Sequence, residues 1–206
     1  CKRSQESTLR LAALDTISTR WVPRAVAQLK EEYPHITVSV ISGSPMQVDN
    51  WLRDGSVEIG VTDRRWTGAE LDWTKLVDDP FLAVLPPDSD APDPMPADYL
   101  SGKAVITPDY GTNTDTTRVF TRAGVEPAYT DDRLNNRSVL AAVAAGLGST
   151  VFSRLELDYY AQQNLTVRAI DPPCLRELGV DVDPTTFTVE QAVPQLRALL
   201  EGRAHA

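Results

Sequence analysis

The sequence predicts an α/β protein of two lobes with a cleft, and three observations carry that prediction. Residues 8–40 run strand, polar turn, helix, strand. A similar series begins near Val105, after a stretch that holds Pro86, Pro87, Pro92, Pro94 and Pro96. The tail beyond residue 166 is too long to belong to the second series alone, so the chain is expected to cross between lobes twice. Strands alternating with helical patterns mark βαβ units and a parallel sheet. Two crossing strands make a stiffer hinge than one, which suits a clamp around a small molecule.

The first strand is the apolar run Leu9, Leu11, Ala12, Ala13 and Leu14, which suits burial on both faces. The polar turn Asp15-Thr16-Ile17-Ser18-Thr19 follows. Trp21, Val22, Ala25, Val26, Leu29 and Tyr33 then recur at steps of three and four, the apolar face of a helix. Pro23 is tolerated near the start of that helix and Pro34 ends it. Ile36, Val38 and Val40 alternate in a second strand. The turn at 15–19 lies at a strand's C-terminal end and opens a helix, where parallel sheets bind ligands. The competing reading is that one hydroxyl only caps the helix.

Ile41-Ser42-Gly43-Ser44-Pro45 repeats that arrangement, before a helix with Met46, Val48, Trp51 and Leu52 on its apolar side and Gly55 at its end. Val57, Ile59 and Val61 alternate in a third strand, which ends at Thr62-Asp63-Arg64. Three polar strand ends then converge on one sheet edge, which makes that edge the candidate site. Residues 71–77 and 81–85 read as two strands joined by an Asp78-Asp79-Pro80 turn. The proline-rich stretch 86–96 reads as the exit from the first lobe.

The second series opens with the short strand Val105-Ile106 and the turn Thr107-Pro108-Asp109-Tyr110-Gly111. Asn113, Thr114 or Asp115 caps a helix stopped by Gly124, and 128–134 reads as a strand. Asn135-Asn136 precede the alanine-rich helix SVLAAVAAGLG, and Val151-Phe152 form the next strand. Residues 155–163 suit a short helix, 165–167 a strand, and 175–182 another strand. Thr186 or Thr188 caps a last helix with Val189, Ala192, Val193, Leu196, Leu199 and Leu200 on its buried face. Lobe I is therefore expected over residues 8–86 plus 166–203, and lobe II over 87–165.

A net charge of −9 and no run of Lys or Arg argue against nucleic-acid binding by these residues. No stretch approaches the roughly 18 apolar residues of a membrane span, and no signal peptide is present. Cys1 and Cys174 form no CxxC or Cys/His cluster, and His35 and His205 stand beside a turn and in the tail. The pairs Asp78-Asp79 and Asp131-Asp132 fall in predicted turns, where solvated acids are ordinary. No catalytic residue, metal ligand or cofactor site is expected, and no enzyme. Arg64-Arg65 and Trp66 read as a surface loop rather than an anion site, and Cys1 as a segment boundary rather than a lipid-bearing residue.

The order of pieces resembles the effector-binding domain of LysR-type transcriptional regulators over about residues 8–201. It is carried by LRLAAL, WVPRAVAQLKEEYPHITVSV, the Gly43-Ser44 turn, WLRDGSVEIGV, LVDDPFLAVLPPDSD and SVLAAVAAGLGSTVFS. The resemblance implies two Rossmann-like lobes joined by a two-strand hinge, like periplasmic type 2 binding proteins, with the effector between the lobes. It implies a cytoplasmic homodimer docked antiparallel, tetrameric at full length. DNA would be bound only through a helix-turn-helix segment absent from this chain, with no membrane partner. Thr16 and Ser44 fall where the family places effector-binding groups after the first and second strands, and Thr107 and Pro108 occupy the matching second-lobe turn. The candidate ligand-binding set is Thr16, Ile17, Ser18, Ser44, Asp63, Thr107, Pro108, Asn136 and Phe152. Asp63 stands where some members carry a basic or small residue, and Ser153 replaces the usual proline. The expected ligand is a small polar or anionic molecule. The alternative is a solute-binding lipoprotein anchored through Cys1, which predicts a monomer.

Overall fold

A computed structural model of the chain describes residues 7–68, 70–107, 113–129, 134–160, 164–182 and 192–204. β1 (Ser7–Ala13) is fully buried at Leu9, Leu11, Ala12 and Ala13, as an apolar run flanked by helices should be. The turn expected at 15–19 is instead a short helix, α1 (Asp15–Arg20). Ile17 and Ser18 N–H donate to the Leu14 carbonyl at 2.9 and 2.8 Å, and the Ser18 and Thr19 hydroxyls donate back to the Asp15 carbonyl. Those side-chain bonds occupy the carbonyl that a loop would leave to water. α2 (Val22–Glu32) buries Val22, Ala25 and Leu29, and Pro23 sits in its first turn, where no N–H is missed.

β2 (Ile36–Ser42) pairs parallel with β1 from Ser7↔Ile36 to Ala13↔Ser42. It is an edge strand, so burial fades along it: Ile36 is buried, Val38 half-buried, and Val40 and Ile41 exposed. The simple alternation expected there does not hold, because nothing within this chain covers its outer side. α3 (Pro45–Arg53) buries Val48 and Leu52, while Met46, expected on the apolar side, is exposed. Gly55, at φ 73°, turns the chain out of α3. β3 (Ile59–Asp63) is buried throughout and pairs parallel with β1.

The hairpin expected at Asp78-Asp79-Pro80 does not form. Residues 72–85 are one strand, β4 (Asp72–Leu85). Its alternating side chains divide the core of the second unit. Phe81, Ala83 and Leu85 face Met95, Leu100 and Phe120, whereas Leu82 and Val84 face Ile106, Leu140 and Phe152. Asp79, read as a solvated turn acid, is 1% exposed. The strand continues because Arg176 neutralises Asp79 in place, at 2.9 Å. Asp131-Asp132 lie outside the described residues.

The chain then adds β5 (Met95–Pro96), β6 (Ala104–Val105), α4 (Asn113–Ala123), β7 (Ala128–Tyr129) and α5 (Asn136–Ala144). β6 pairs parallel with β7, and Val105 bridges to Ser149. Asn135 caps α5 by accepting the Ser138 N–H at 3.0 Å, and Gly146 at φ 79° ends that segment. β8 (Thr150–Ser153), α6 (Arg154–Tyr160) and β9 (Thr166–Asp171) follow, and β8 and β9 both pair antiparallel with β4. β10 (Leu175–Val182) pairs antiparallel with β3 and lies beside β4. α7 (Ala192–Ala204) packs on α2, and the caps expected at Thr186 or Thr188 lie outside the described residues.

The chain divides into two compact units. The first comprises residues 1–78 and 177–206, the second 79–176, so β4 and β10 are the two strands that pass between them. The sequence reading placed the crossings near 86 and 166 because prolines begin at Pro86. β4 has already crossed before the prolines begin.

Candidate ligand-binding site

In the first unit, the C-terminal ends of β1, β2 and β3 stand side by side. Gly43 N–H donates to the Ala13 carbonyl at 3.1 Å, and Leu14 N–H to the Val61 carbonyl at 3.3 Å. This brings α1 beside the Ser42–Ser44 loop, and the Ser42 hydroxyl donates to Ser18 Oγ at 2.9 Å. Ser42 was not among the sequence candidates, although its place in the same polar turn was the signal for it.

Thr16 is 4% exposed, and among the described residues no hydrogen bond takes up its hydroxyl. Ser18 already donates to the Asp15 carbonyl, so it can offer a ligand only a lone pair. No side chain caps α1, so none of the 15–19 hydroxyls does the capping job that competed with ligand binding. Ser44 does cap, in a reciprocal box with Gln47: Ser44 Oγ accepts the Gln47 N–H at 3.3 Å, and Gln47 Oε1 accepts the Ser44 N–H at 2.9 Å. Its hydroxyl hydrogen remains available.

Two first-unit candidates are committed elsewhere. The Ile17 side chain is 1% exposed and belongs to the core. Asp63 is fully buried, and its carboxylate accepts from the Arg65 guanidinium at 2.8–3.2 Å and from the Arg65 N–H at 3.0 Å. Neighbouring Arg64 is exposed and stacks over Trp73 at 5.5 Å.

In the second unit, Thr107 follows β6 and is 8% exposed. Its strand end is held in place by Thr150, whose hydroxyl donates to the Ile106 carbonyl at 2.7 Å, and by Ile106 N–H donating to the Ser149 carbonyl at 2.8 Å. Asn136 opens α5, and its Oδ1 is buried without a hydrogen-bond partner. An orphaned buried amide oxygen is an open recognition group. The Phe152 ring is 1% exposed and packs with Ile106 and Leu140, so only its backbone can serve a ligand. Pro108 lies outside the described residues.

A separate cavity of about 320 Å³ lies in the first unit, lined by Arg10, Ser39, Ile41, Trp51, Ser56 and Val57. It contains none of the sequence candidates. Arg10 there is tied to the buried carboxylate of Glu58. Among the described residues no group of three or more His, Cys, Asp or Glu could hold a metal ion, and no helix is long and apolar enough to cross a membrane.

The chain is 27% identical over 177 residues to the transcriptional activator protein LysR of Escherichia coli, covering 80% of this chain and 54% of that protein. It is 26% identical over 175 residues to the uncharacterized HTH-type transcriptional regulator YfeR of Shigella flexneri, covering 82% and 56%. The chain thus spans about half the length of these curated relatives. Its fold matches the regulatory domain of CcmR from Synechocystis PCC6803, solved in complex with 2-PG, at a TM-score of 0.79 and 22% identity over 94% of this chain and 97% of that one. The LysR substrate binding domain family matches residues 2–199, and with the type 2 periplasmic-binding-protein-like fold this shows that the chain belongs to that family.

Proposed function

We propose that this domain senses a small polar or anionic effector for a LysR-type transcriptional regulator whose DNA-binding segment lies outside these residues. The observation that carries the reading is the Thr16 hydroxyl: buried, unbonded, and set among three converging strand ends beside Ser18 and Ser44. Thr107 and the orphaned Asn136 amide supply polar groups in the second unit. The neighbouring protein CcmR was solved with 2-PG, and a further fold relative, an OxyR2 regulatory domain from Vibrio vulnificus, is described as sulfate-bound, which supports an anionic class. The working location is the cytoplasm, and the working assembly a homodimer that becomes a tetramer at full length. The uncharged edge strand β2, with Val40 and Ile41 exposed and Met46 nearby, supports a self-association surface.

The test is a thermal-shift screen of the purified domain against small carboxylates, amino acids, inorganic anions and aromatic acids, with mass from light scattering. Binding raises the melting temperature with the logarithm of ligand excess over Kd. Thr16→Val keeps the volume and removes the hydroxyl. It should leave the unliganded melting point unchanged and weaken the hit about tenfold, or roughly 1.4 kcal/mol. Ser44→Ala is a poorer probe, because losing the α3 cap alone costs about 1 kcal/mol. A hit with equal affinity for wild type and Thr16→Val would remove Thr16 from the site. A tightly binding monomer would instead favour the solute-binding reading.

A further inference from the structure

The two strands that pass between the units are poorly supplied with ladder hydrogen bonds where they cross. Pro80 in β4 has no N–H, and neither do Pro172 and Pro173, just before β10. One backbone bond spans them there, from Phe81 N–H to the Cys174 carbonyl at 2.9 Å. Beside it lies a buried side-chain network. Arg176, 3% exposed, donates from Nε to Asp79 Oδ2 at 3.0 Å and from its terminal nitrogen to Ser153 Oγ at 2.8 Å, with Glu156 at 3.6 Å. The other oxygen of Asp79 accepts the Leu155 N–H at 3.0 Å, at the start of α6. One guanidinium thus joins β10 to β4, to the end of β8 and to α6.

One residue further into the first unit, the contacts change character. Lys75 reaches Asp78 at 2.7 Å and Glu177 at 3.0 Å, but all three side chains are 43–48% exposed. Such pairs are screened by water and salt and constrain little. Beyond them Gly179 lies close against the Thr74 backbone, so the strands pack tightly again. The weakly held step is therefore Asp78 and Glu177, between two firmly held ones.

We infer that the Asp79–Arg176 network is a clamp that locks β4 to β10 at the edge of the second unit and confines hinge bending to the Asp78/Glu177 step. A buried, bidentate pair with its remaining lone pairs satisfied has geometry that a surface pair lacks. Arg176 acts here as a positioning residue and touches no ligand.

The test is amide hydrogen exchange on the whole domain, comparing Phe81 and Leu155 at the clamp with Ile106 in the interior of the same unit. Arg176→Lys keeps the charge but loses the fork, and Asp79→Asn keeps the shape but loses the charge. Each should speed exchange at Phe81 and Leu155 at least tenfold while leaving Ile106 unchanged. Lys75→Met should change none of them. Exchange at Phe81 in the wild type should also be insensitive to added salt. Equal acceleration at Phe81 and Ile106, or no acceleration at either, would overturn the clamp and leave an ordinary core contact. If a single variant unfolds, the double variant Asp79→Asn, Arg176→Met removes both charges at near-constant volume. That variant should fold with the same local acceleration, and its failure to fold would equally overturn the inference.

Discussion

Replacing Asp181 with asparagine should make the domain more stable than wild type at pH 8 and leave it about equal at pH 4. Asp181 lies on β10, fully buried, with neither carboxylate oxygen in a hydrogen bond. Burial pushes its pKa up from 3.8 to about 6. The Thr67 hydroxyl and the Arg64 charge pull the other way, and the carboxylates of Asp49 on α3 and Asp72 on β4 add to the rise. A group whose folded pKa is raised supports the fold fully below its unfolded pKa, and that support is lost as pH rises through the folded value. The loss should therefore develop between about pH 4 and pH 6 and be complete above it. Its size is on the order of 2–3 kcal/mol, or a melting shift of about 5 °C for a chain of this length. Melting curves of both proteins at half-unit steps from pH 4 to 8 give the difference directly. A difference that stays flat with pH would mean Asp181 is solvated or partnered in solution.

Gly179→Ala should cost about 3 kcal/mol, and Gly60→Ala about 1 kcal/mol. Both glycines lie in the first unit, on β10 and β3, and a Cβ at either would meet an atom at 2.4 Å. The obstacle decides the difference. At Gly60 the nearest atom is the end of the Leu52 side chain, which can turn away within α3's packing. At Gly179 it is the Thr74 backbone oxygen, with the Trp73 ring at 2.4 and 2.6 Å beside it. Moving the oxygen means moving β4 itself. Relief of unfolded-chain entropy by alanine returns only about 0.4–1 kcal/mol at either position. Urea unfolding of the two variants, read at unchanged slope, is the measurement. Equal losses would show that β4 yields as readily as a leucine side chain.

Much of the first unit was legible because its signals are local. The run at Leu9–Leu14, the three-and-four spacing from Trp21 to Leu29 and the alternation at Val57–Val61 each name one element by its own periodicity. The polar strand ends were legible for the same reason, since Thr16, Ser18 and Ser44 each follow a strand and precede a helix. Asp63 and Phe152 were legible as positions but not as side chains, because their roles depend on Arg65 and on the packing around Ile106. β4 was misread at Asp78-Asp79-Pro80 because the residue that makes a continuous strand tolerable, Arg176, lies 97 positions away.

By itself, then, the sequence determined the α/β class, the order of elements, the family resemblance and the sheet edge that carries the candidate hydroxyls. All of these follow from patterns a few residues long. The tertiary structure alone decided which polar groups are free and which are engaged: Thr16 unbonded, Asp63 held by Arg65, Asp79 held by Arg176, and Asp181 buried without a partner. The physical reason is that a polar side chain's chemistry depends on desolvation and on the charge brought beside it. Both are supplied by residues that are distant in the chain and adjacent only once it folds.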